Sequence, residues 1–331
     1  MFCIFSWTFQ PPEEIIPYKD IDSVTDAGGV NILYAFGIET PPGWLRGNTH
    51  THSNKSDCKS EPEEFFAHCK SMGYDFLVIS DHISTEFPHW KSEPCHDLSD
   101  TDAGMLCIDG EEMTSTDNHT NGIGIDQNIL PGTIQENLSA AVDTDPSGGI
   151  STIAHLNHPV SQSLLTVGNL SSLVDFKFME ICNAGTETGN AGADEALWKE
   201  LLDEQKKIYG FASDDAHDLS EDAGRAWIMV KATSRTKEAI LGAIDQGHFY
   251  ATTGVMLNHC EVRNGKLSVD SINGEHIKFM GVDPQGPFSG DYTARSAEYN
   301  LDRNPYYVSA VITNDHDETA WCQPVFVNDM P

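Results

Sequence analysis

The sequence predicts an α/β fold whose functional site lies at one edge of a mainly parallel sheet. Short apolar runs typical of buried strands alternate with helix-like segments, and polar residues follow directly after the apolar runs. The chain has 331 residues, of which 39% are hydrophobic, so it can bury a full-sized core. Polar residues at successive strand ends are typical of a barrel with its site at the carboxyl-terminal rim.

The first helix and the first clear strand lie between residues 61 and 82. Glu61 and Pro62 open a predicted helix that continues to Ser71, because proline is favoured in a first helical turn. The apolar run 74–79 then predicts a buried strand that stops just before Asp81 and His82.

Four further apolar runs end in the same way. They are 105–108 before Glu112, 149–154 before His155, 178–181 before Asn183, and 208–212 before Asp215. Residues 194–206 predict a helix between the last two runs, with Leu197, Leu201 and Leu202 on one face. The alternation of strands and helices predicts a parallel sheet.

Near Thr253 the sequence pattern changes to short stretches of alternating polar and apolar residues, such as 306–312, separated by glycine-containing turns. This pattern predicts a small β-rich appendage at the carboxyl terminus. The predicted organisation is an irregular lead-in over residues 1–43, a barrel over 44–252, and a β-rich subdomain over 253–331.

Charge and hydropathy restrict the partners. The net charge of -32 comes from 51 acidic and 19 basic side chains, and it would repel nucleic acid and anionic lipid. No apolar stretch approaches the roughly 18 to 20 residues that cross a bilayer. We therefore expect a small-molecule substrate and neither nucleic acid nor membrane as a partner, with the oligomeric state left open.

The eight cysteines are widely spread and contain no CxxC pair. We expect reduced thiols and a cytoplasmic location, because a chain of this length does not need disulfides for stability. An even number of cysteines also fits disulfides in a secreted or periplasmic protein, and a removed leader would leave that alternative open.

Histidines and carboxylates gather at the predicted strand ends. His50 and His52 are spaced i, i+2, so both rings would lie on one side of an extended strand, although this pair alone is a weak signal. The remaining candidate metal ligands are Asp57, His82, Glu112, His119, His155, Asp215 and His217. A mixture of imidazole and carboxylate suits zinc, manganese or iron better than calcium or magnesium.

The same residues resemble a known family. HTHS followed by Asp57, SDH at 80–82, GEE with His119 downstream, IAHLNHP at 153–159 and SDDAH at 213–217 resemble the PHP superfamily, named for polymerase and histidinol phosphatase. The stretches 110–125, 247–254 and 320–327 are similar to its branch of CehA/McbA-type metallohydrolases.

The resemblance implies a distorted (β/α)7 barrel that holds two or three divalent transition-metal ions, namely manganese, zinc or iron. Its ligand pattern implies a first ion on His50, His52, Glu112 and Asp215, and a second ion on Asp57, His82 and His217. Glu112 would bridge to a third ion bound by His119 and His155. Asp81 is expected to orient His82 or a neighbouring ligand.

The expected chemistry is hydrolysis by a metal-bridged hydroxide, with His217, Asp215 and His82 acting catalytically as ligands of the ions. Two residues are candidates for binding the substrate. His158 would touch the substrate or leaving group, or else have a structural role in its loop. Arg225 is one of few cations near the motifs and would hold a substrate anion.

The favoured function is a phosphoesterase that acts on a small phosphorylated metabolite or nucleotide. The alternative is a carboxylic or carbamate ester hydrolase with the same metal centre, because the chain offers few cations for a phosphate. A non-catalytic binding module is less favoured, since every expected ligand position is filled.

Overall fold

The computed structural model describes residues 44–99, 105–115, 118–125, 128–143, 152–161, 163–185 and 192–326. Within these residues the chain forms one large mixed sheet, one small antiparallel sheet and a few helices. The helices are α1 (Pro62–Ser71), α2 (Ile134–Asp143), α3 (Val167–Leu170), α4 (Ala193–Asp203) and α5 (Lys237–Asp245), with a short 3-10 turn at His96–Leu98.

The first half of the large sheet contains the strands that carry the site. They are β1 (Leu45–Asn48), β2 (Phe76–Ile79), β3 (His82–Ile83), β4 (Leu106–Thr114), β5 (His119–Ile123), β6 (Ile153–Leu156), β7 (Phe178–Asn183), β8 (Tyr209–Ser213), β9 (Trp227–Val230) and β10 (Phe249–Thr252). The main path of this half runs in the order β10-β9-β1-β2-β4-β5-β6-β7-β8, with β3 paired to β4.

The expectation of a parallel sheet is only partly correct. Strands β1, β2, β4, β6, β7 and β8 share one direction, whereas β5 and β9 run antiparallel to their neighbours. The connection between β4 and β5, residues 115–118, is too short for the crossover that a parallel pair needs. The predicted (β/α)7 barrel is not confirmed, since the structure is sheet-rich and has few helices.

Helices α1 and α4 lie where the sequence predicts them. Helix α1 begins at Pro62, is capped by the reciprocal bonds of Glu61 and Glu64, and buries Phe65 and Phe66. Helix α4 buries the predicted leucine face. Both helices pack against the sheet; α1 was predicted from the proline in its first turn and α4 from the periodicity of its leucines.

The carboxyl-terminal strands continue the large sheet and add a small one. They are β11 (Leu257–Arg263), β12 (Lys266–Ser271), β13 (His276–Asp283), β14 (Gly286–Thr293), β15 (Ser296–Asn300), β16 (Tyr307–Thr313), β17 (Thr319–Cys322) and β18 (Val325–Phe326). Strands β11, β12 and β15 form the small sheet, whereas β17 pairs with β10 and extends the large one.

The hydrophobic core also crosses residue 253. Trp44 and Tyr250 belong to the same buried cluster as Phe279 and Val308. The domain boundary predicted at 252/253 therefore falls inside a continuous sheet and a shared core, and the division into a barrel and a β-rich subdomain stays a prediction.

Two disulfides correct the expectation of reduced thiols. Cys95 pairs with Cys107 and Cys260 with Cys322, with Cα–Cα distances of 5.6 and 6.4 Å. Cys58 and Cys69 are buried thiols outside these two pairs, and Cys182 is also buried. The expectation was wrong for the four paired cysteines because the fold brings together positions whose spacing in sequence gives no indication of pairing.

In the part of the chain that the structure describes, no helix combines the length and apolar character needed to span a membrane.

Candidate metal centre

The candidate ligands converge at the carboxyl ends of the parallel strands. His50 and His52 follow β1, His82 follows β2 at the start of β3, and Asp215 follows β8, while Glu112 lies in β4. Carboxyl ends of parallel strands meet at the same edge of a sheet, which explains how ligands distant in sequence come together.

Four buried side chains form the inner part of the cluster. His50 Nε2 lies 3.1 Å from Asp215 Oδ1 and 3.4 Å from Glu112 Oε1. His52 Nε2 lies 3.0 Å from Asp215 Oδ1 and 3.5 Å from Glu112 Oε2. Both histidines and Glu112 are 0% exposed, so this set of donors is shielded from water.

Asp57, His82 and His217 form an outer group on the solvent side. Asp57 Oδ2 lies 3.5 Å from His82 Nε2, and Asp57 Oδ1 lies 3.3 Å from His217 Nε2. The side chains of Asp57 and His217 are 32% and 36% exposed, in contrast to the inner group. The ring of His52 stacks on those of His82 and His217, at centroid distances of 4.3 and 4.2 Å, which joins the outer group to the inner one.

Glu112 occupies the centre of the whole cluster. Besides His50 and His52, its carboxylate lies 2.7 Å from His82 Nδ1, 3.0 Å from His119 Nδ1 and 3.6 Å from His158 Nε2. A carboxylate with two oxygens surrounded by five imidazoles has the position of a ligand shared between ions.

In the part of the chain that the structure describes, His155 does not group with the other candidate ligands, although its ring lies 6.4 Å from that of His50. It lies inside β6, is 0% exposed, and stacks on Phe211 at a centroid distance of 4.8 Å. Burial lowers its pKa to about 4, as expected for a neutral core histidine. The predicted strand ended at residue 154, two residues before the observed end at Leu156, which made His155 look like a rim residue.

His158 takes the place expected for His155. It follows β6 with a positive φ of 25° and groups with His50 and Asp215. Its backbone N–H donates to Glu180 Oε2 at 2.8 Å, which fixes the turn. The structure thus places this residue next to the candidate ligands, and its contact with the substrate stays a prediction.

The side chain of Arg225, the second predicted substrate-binding residue, is exposed. Its connection to the site is through the backbone: the N–H groups of Gly224, Arg225 and Ala226 each donate to Asp214 at 2.7 Å. The buried Asp214 therefore holds the segment after β8 in place. The sequence did not indicate this role, because the Asp-x-His spacing selected its neighbour Asp215.

Glu180 supports the site and was missed in the sequence. Its Oε1 accepts from His50 Nδ1 at 2.8 Å, and the residue is 0% exposed. Carboxylates in this position fix the tautomer and orientation of a metal-binding imidazole. A charged residue in the middle of an otherwise apolar strand, β7, was the available signal.

Asp81 holds the loop that carries Asp57. It accepts hydrogen bonds from Ser53 N at 2.7 Å, from Ser53 Oγ at 2.6 Å and from Ser56 Oγ at 2.7 Å. Asp81 was expected to orient His82 or a neighbouring ligand. Its hydrogen bonds go to the loop that carries Asp57.

The electrostatics of the cluster favour a bound cation. Burial alone would lower the pKa of His82, but the Glu112 and Asp57 carboxylates outweigh it and raise this pKa to about 10. For His217, burial is likewise outweighed by Asp57 and Asp215, which raise the pKa to about 9. The carboxylates thus draw positive charge into the site, as protons when no metal is bound.

The spacing and bonding of the inner donors fit a metal ion. Ligand atoms about 2.1 Å from a tetrahedral ion lie about 3.4 Å apart, close to the separations around His50 Nε2. With Nδ1 of His50 bonded to Glu180, its Nε2 faces two carboxylates and forms no hydrogen bond. A lone pair that faces carboxylate oxygens in a buried site needs a cation or a proton between them.

Known proteins are similar to this chain in fold rather than in sequence. No model of a known protein family matches the chain, and no curated protein matches it. A two-domain protein from Bacteroides vulgatus that contains a predicted PHP-like metal-dependent phosphoesterase is similar in structure, with a TM-score of 0.50 and 15% identity. The similarity covers 86% of this chain and 94% of that one.

Two further solved structures are similar over a smaller region. An amidohydrolase from Chromobacterium violaceum, with bound sulfate and no metal, has a TM-score of 0.34 and 12% identity over 53% of this chain and 89% of its own. A candidate metal-dependent phosphoesterase from Bifidobacterium adolescentis has a TM-score of 0.31 and 10% identity over 53% and 88%.

The fold and the cluster together define a mixed α/β protein with a candidate multinuclear metal centre. Its fold is similar to that of the two-domain protein from Bacteroides vulgatus. Membership of the PHP superfamily and of its CehA/McbA branch, and the individual ligands, stay predictions.

Proposed function

We propose that this protein is a metal-dependent hydrolase, and that it acts as a phosphoesterase on a small phosphorylated metabolite or nucleotide. The observation that carries the proposal is the buried cluster of imidazoles and carboxylates around Glu112. Desolvating so many ionisable groups is costly unless they bind a cation, and the donor types suit manganese, zinc or iron.

The proposed ligands follow the resemblance, with one change based on the geometry. His50, His52, Glu112 and Asp215 would hold one ion, and Asp57, His82 and His217 would hold a second. A third ion would be bound by Glu112 and His119, with His158 in place of His155. When bound, such ions activate water as a nucleophile and stabilise the negative charge that develops on the substrate.

The protein residues contribute orientation and access. Glu180 keeps Nε2 of His50 directed at the carboxylates, and Asp81 fixes the loop of Asp57. Substrate reaches the cluster from the side of Asp57 and His217, because these side chains are partly exposed whereas His50 and His52 are not. In this arrangement His217, Asp215 and His82 act as ligands and not as free acids or bases.

The proposal includes closure of the parallel strands into a barrel. His52 N donates to Ala216 O at 3.0 Å and Asp215 N to His50 O at 3.1 Å, so the segment after β1 contacts the segment after β8. Thr51 and Ala216 also form a parallel bridge. These bonds join the first and last parallel strands at the edge where the ligands lie.

We also propose that the protein functions in an oxidising compartment. The disulfides Cys95–Cys107 and Cys260–Cys322 support this location over the cytoplasm, where such pairs are kept reduced.

A carboxylic or carbamate ester hydrolase is the second candidate. It is supported by the ion pairs of two lysines near Asp57, since Lys55 and Lys91 both pair with Glu93. Paired lysines offer little to a doubly charged phosphate, whereas a neutral ester does not require them.

A parallel assay of phosphomonoesters, phosphodiesters and aryl carbamates with added manganese tests the proposal. We expect metal-dependent turnover of phosphoesters that disappears in His50→Ala and Asp215→Ala with the fold retained by circular dichroism. His276→Ala, an exposed histidine on β13, is the matched control. Turnover of carbamates alone would select the second candidate, and inactivity on all three classes would overturn both.

A further inference from the structure

A series of aromatic rings extends from the outer part of the metal cluster to the surface. The ring of Trp90 stacks on that of His82, with centroids 5.0 Å apart and an interplanar angle of 24°. Phe87 stacks on Trp90 at 4.4 Å and 25°. Phe87 is 44% exposed although it is a large apolar side chain. An exposed phenyl ring in line with a candidate metal ligand requires an explanation beyond core packing.

The segment that carries these rings, residues 84–94, is held at several points. Trp90 N donates to Phe87 O at 2.9 Å, and Lys91 N donates to Lys55 O at 3.3 Å, which ties the segment to the loop of Asp57. Ser92 Oγ donates to Gly110 O, and Cys95 is bonded to Cys107 just beyond the segment. The rings are therefore positioned before any ligand arrives, which lowers the entropic cost of binding.

The charges around the rings do not favour recognition by ion pairing. Lys55 and Lys91, the cations bonded to or within this segment, are both engaged by Glu93. Recognition of a group placed here would depend on apolar contact and ring stacking, for which a flat π-system is the best partner.

We propose that Phe87 and Trp90 form a stacking subsite for a planar aromatic ring of the substrate, adjacent to the bond that is hydrolysed at the metal centre. The subsite deepens the proposed function and rests on it. His82 is both a proposed ligand and the first ring of the series, so a substrate ring at the edge of Trp90 would lie next to the reacting group, and the outer face of Phe87 would be reached only by a longer substrate. The substrate ring that binds here would be either an aryl or benzyl group or a nucleobase.

A matched pair of substrates tests the subsite. Benzyl phosphate and cyclohexylmethyl phosphate have similar size and leaving groups, but only the first is planar. In Phe87→Ala and Trp90→Ala we expect kcat/KM for benzyl phosphate to fall about ten-fold, as for loss of one stacking ring, with little change for cyclohexylmethyl phosphate. Trp90→Phe should retain the preference. Tyr292→Ala, an exposed aromatic residue on β14, is the control.

Phe87→Ala separates stacking from damage to the metal centre, because Phe87 contacts the rings of Trp90 and His89 rather than that of His82. Equal losses on both substrates in both alanine variants would overturn the subsite. A nucleoside 5′-monophosphate compared with ribose 5-phosphate distinguishes the two sources of the ring, and a preference for neither aromatic compound would also overturn it.

A binding measurement keeps the two proposals distinguishable. Calorimetric titration of the metal-loaded protein with benzylphosphonate and cyclohexylmethylphosphonate needs no turnover. Tighter binding of the planar compound that is lost in Phe87→Ala supports the subsite even if every phosphoester is inert, which would reject the phosphoesterase proposal alone. Equal binding of both compounds would reject the subsite even if phosphoesters are hydrolysed.

Discussion

At the level of single residues, the ligand types were predictable from sequence but not all ligand positions. His50 and His52 could be recognised because their spacing and the motifs around them are local properties. The choice between His155 and His158 depends on where β6 ends, and strand boundaries are not specified by an apolar run. The role of Glu180 depends on a partner 130 positions away in sequence, so no local pattern could reveal it.

Replacing His158 and His155 separately tests the corrected assignment. We expect His158→Ala to lower metal content and to reduce turnover about a hundred-fold or more, because it removes a ligand of the cluster. His155→Ala should keep its metal and lose about 3 kcal/mol of stability, because it leaves a cavity beside Phe211.

Elemental analysis measures the metal content of both variants, and thermal unfolding measures their stability. The assignment fails if His155→Ala loses metal while His158→Ala retains the amount of the unmodified protein.

The bond between Glu180 and His50 gives a second prediction at this level. Glu180→Gln keeps the size of the side chain but removes the charge that orients Nδ1–H of His50, so metal affinity should fall about 10-fold to 100-fold. Competition with a chelator measures the affinity, and Glu200→Gln on the exposed face of α4 is the control. Unchanged affinity in Glu180→Gln would exclude the orienting role.

At the level of helices, strands and loops, the sequence predicted the amphipathic helices. It did not predict the direction of every strand in the sheet. Helix α1 follows from Pro62 and its capping residues, and α4 follows from its leucine face. The antiparallel insertion of β5 was missed because a strand that carries polar side chains at the rim does not read as an apolar run. Residues 1–43 of the predicted lead-in lie outside the described part of the chain.

The disulfide Cys95–Cys107 gives a prediction for one loop. Its removal in Cys95→Ser/Cys107→Ser should lower the free energy of unfolding by about 2 to 4 kcal/mol, because the unfolded chain gains freedom. Urea denaturation measures the change, and alkylation of the denatured, unreduced protein counts the thiols. Alkylation of both Cys95 and Cys107 in the unmodified protein would contradict the pairing.

For the whole molecule, composition predicted the acidic surface but not how charge is distributed between surface and site. The net charge of -32 is a sum over the sequence, whereas the gathering of Asp57, Glu112 and Asp215 around imidazoles results from folding. This concentration of carboxylates affects metal binding, protonation and stability together, and the three effects can be measured in one pH series.

Metal binding should release protons at neutral pH. Since carboxylates raise the pKa of His82 to about 10 and that of His217 to about 9, both rings are protonated at pH 7.5 when no metal is bound. A ligand imidazole must be neutral, so zinc or manganese displaces these protons and binds more tightly as the pH rises. Calorimetry in buffers with different ionisation enthalpies measures the number released.

The same shifts determine how stability depends on pH. Each raised pKa stabilises the metal-free fold fully below the unfolded value of about 6.5, and this contribution is lost as the pH rises through about 9 to 10. We therefore expect the metal-free protein to lose stability between pH 7 and 10, whereas the metal-loaded protein, whose imidazoles are already neutral, should lose less. Thermal unfolding across this range compares the two forms, with His276→Ala as the control for an exposed histidine. Parallel pH profiles for the two forms, without proton release on titration, would show that His82 and His217 do not bind the metal.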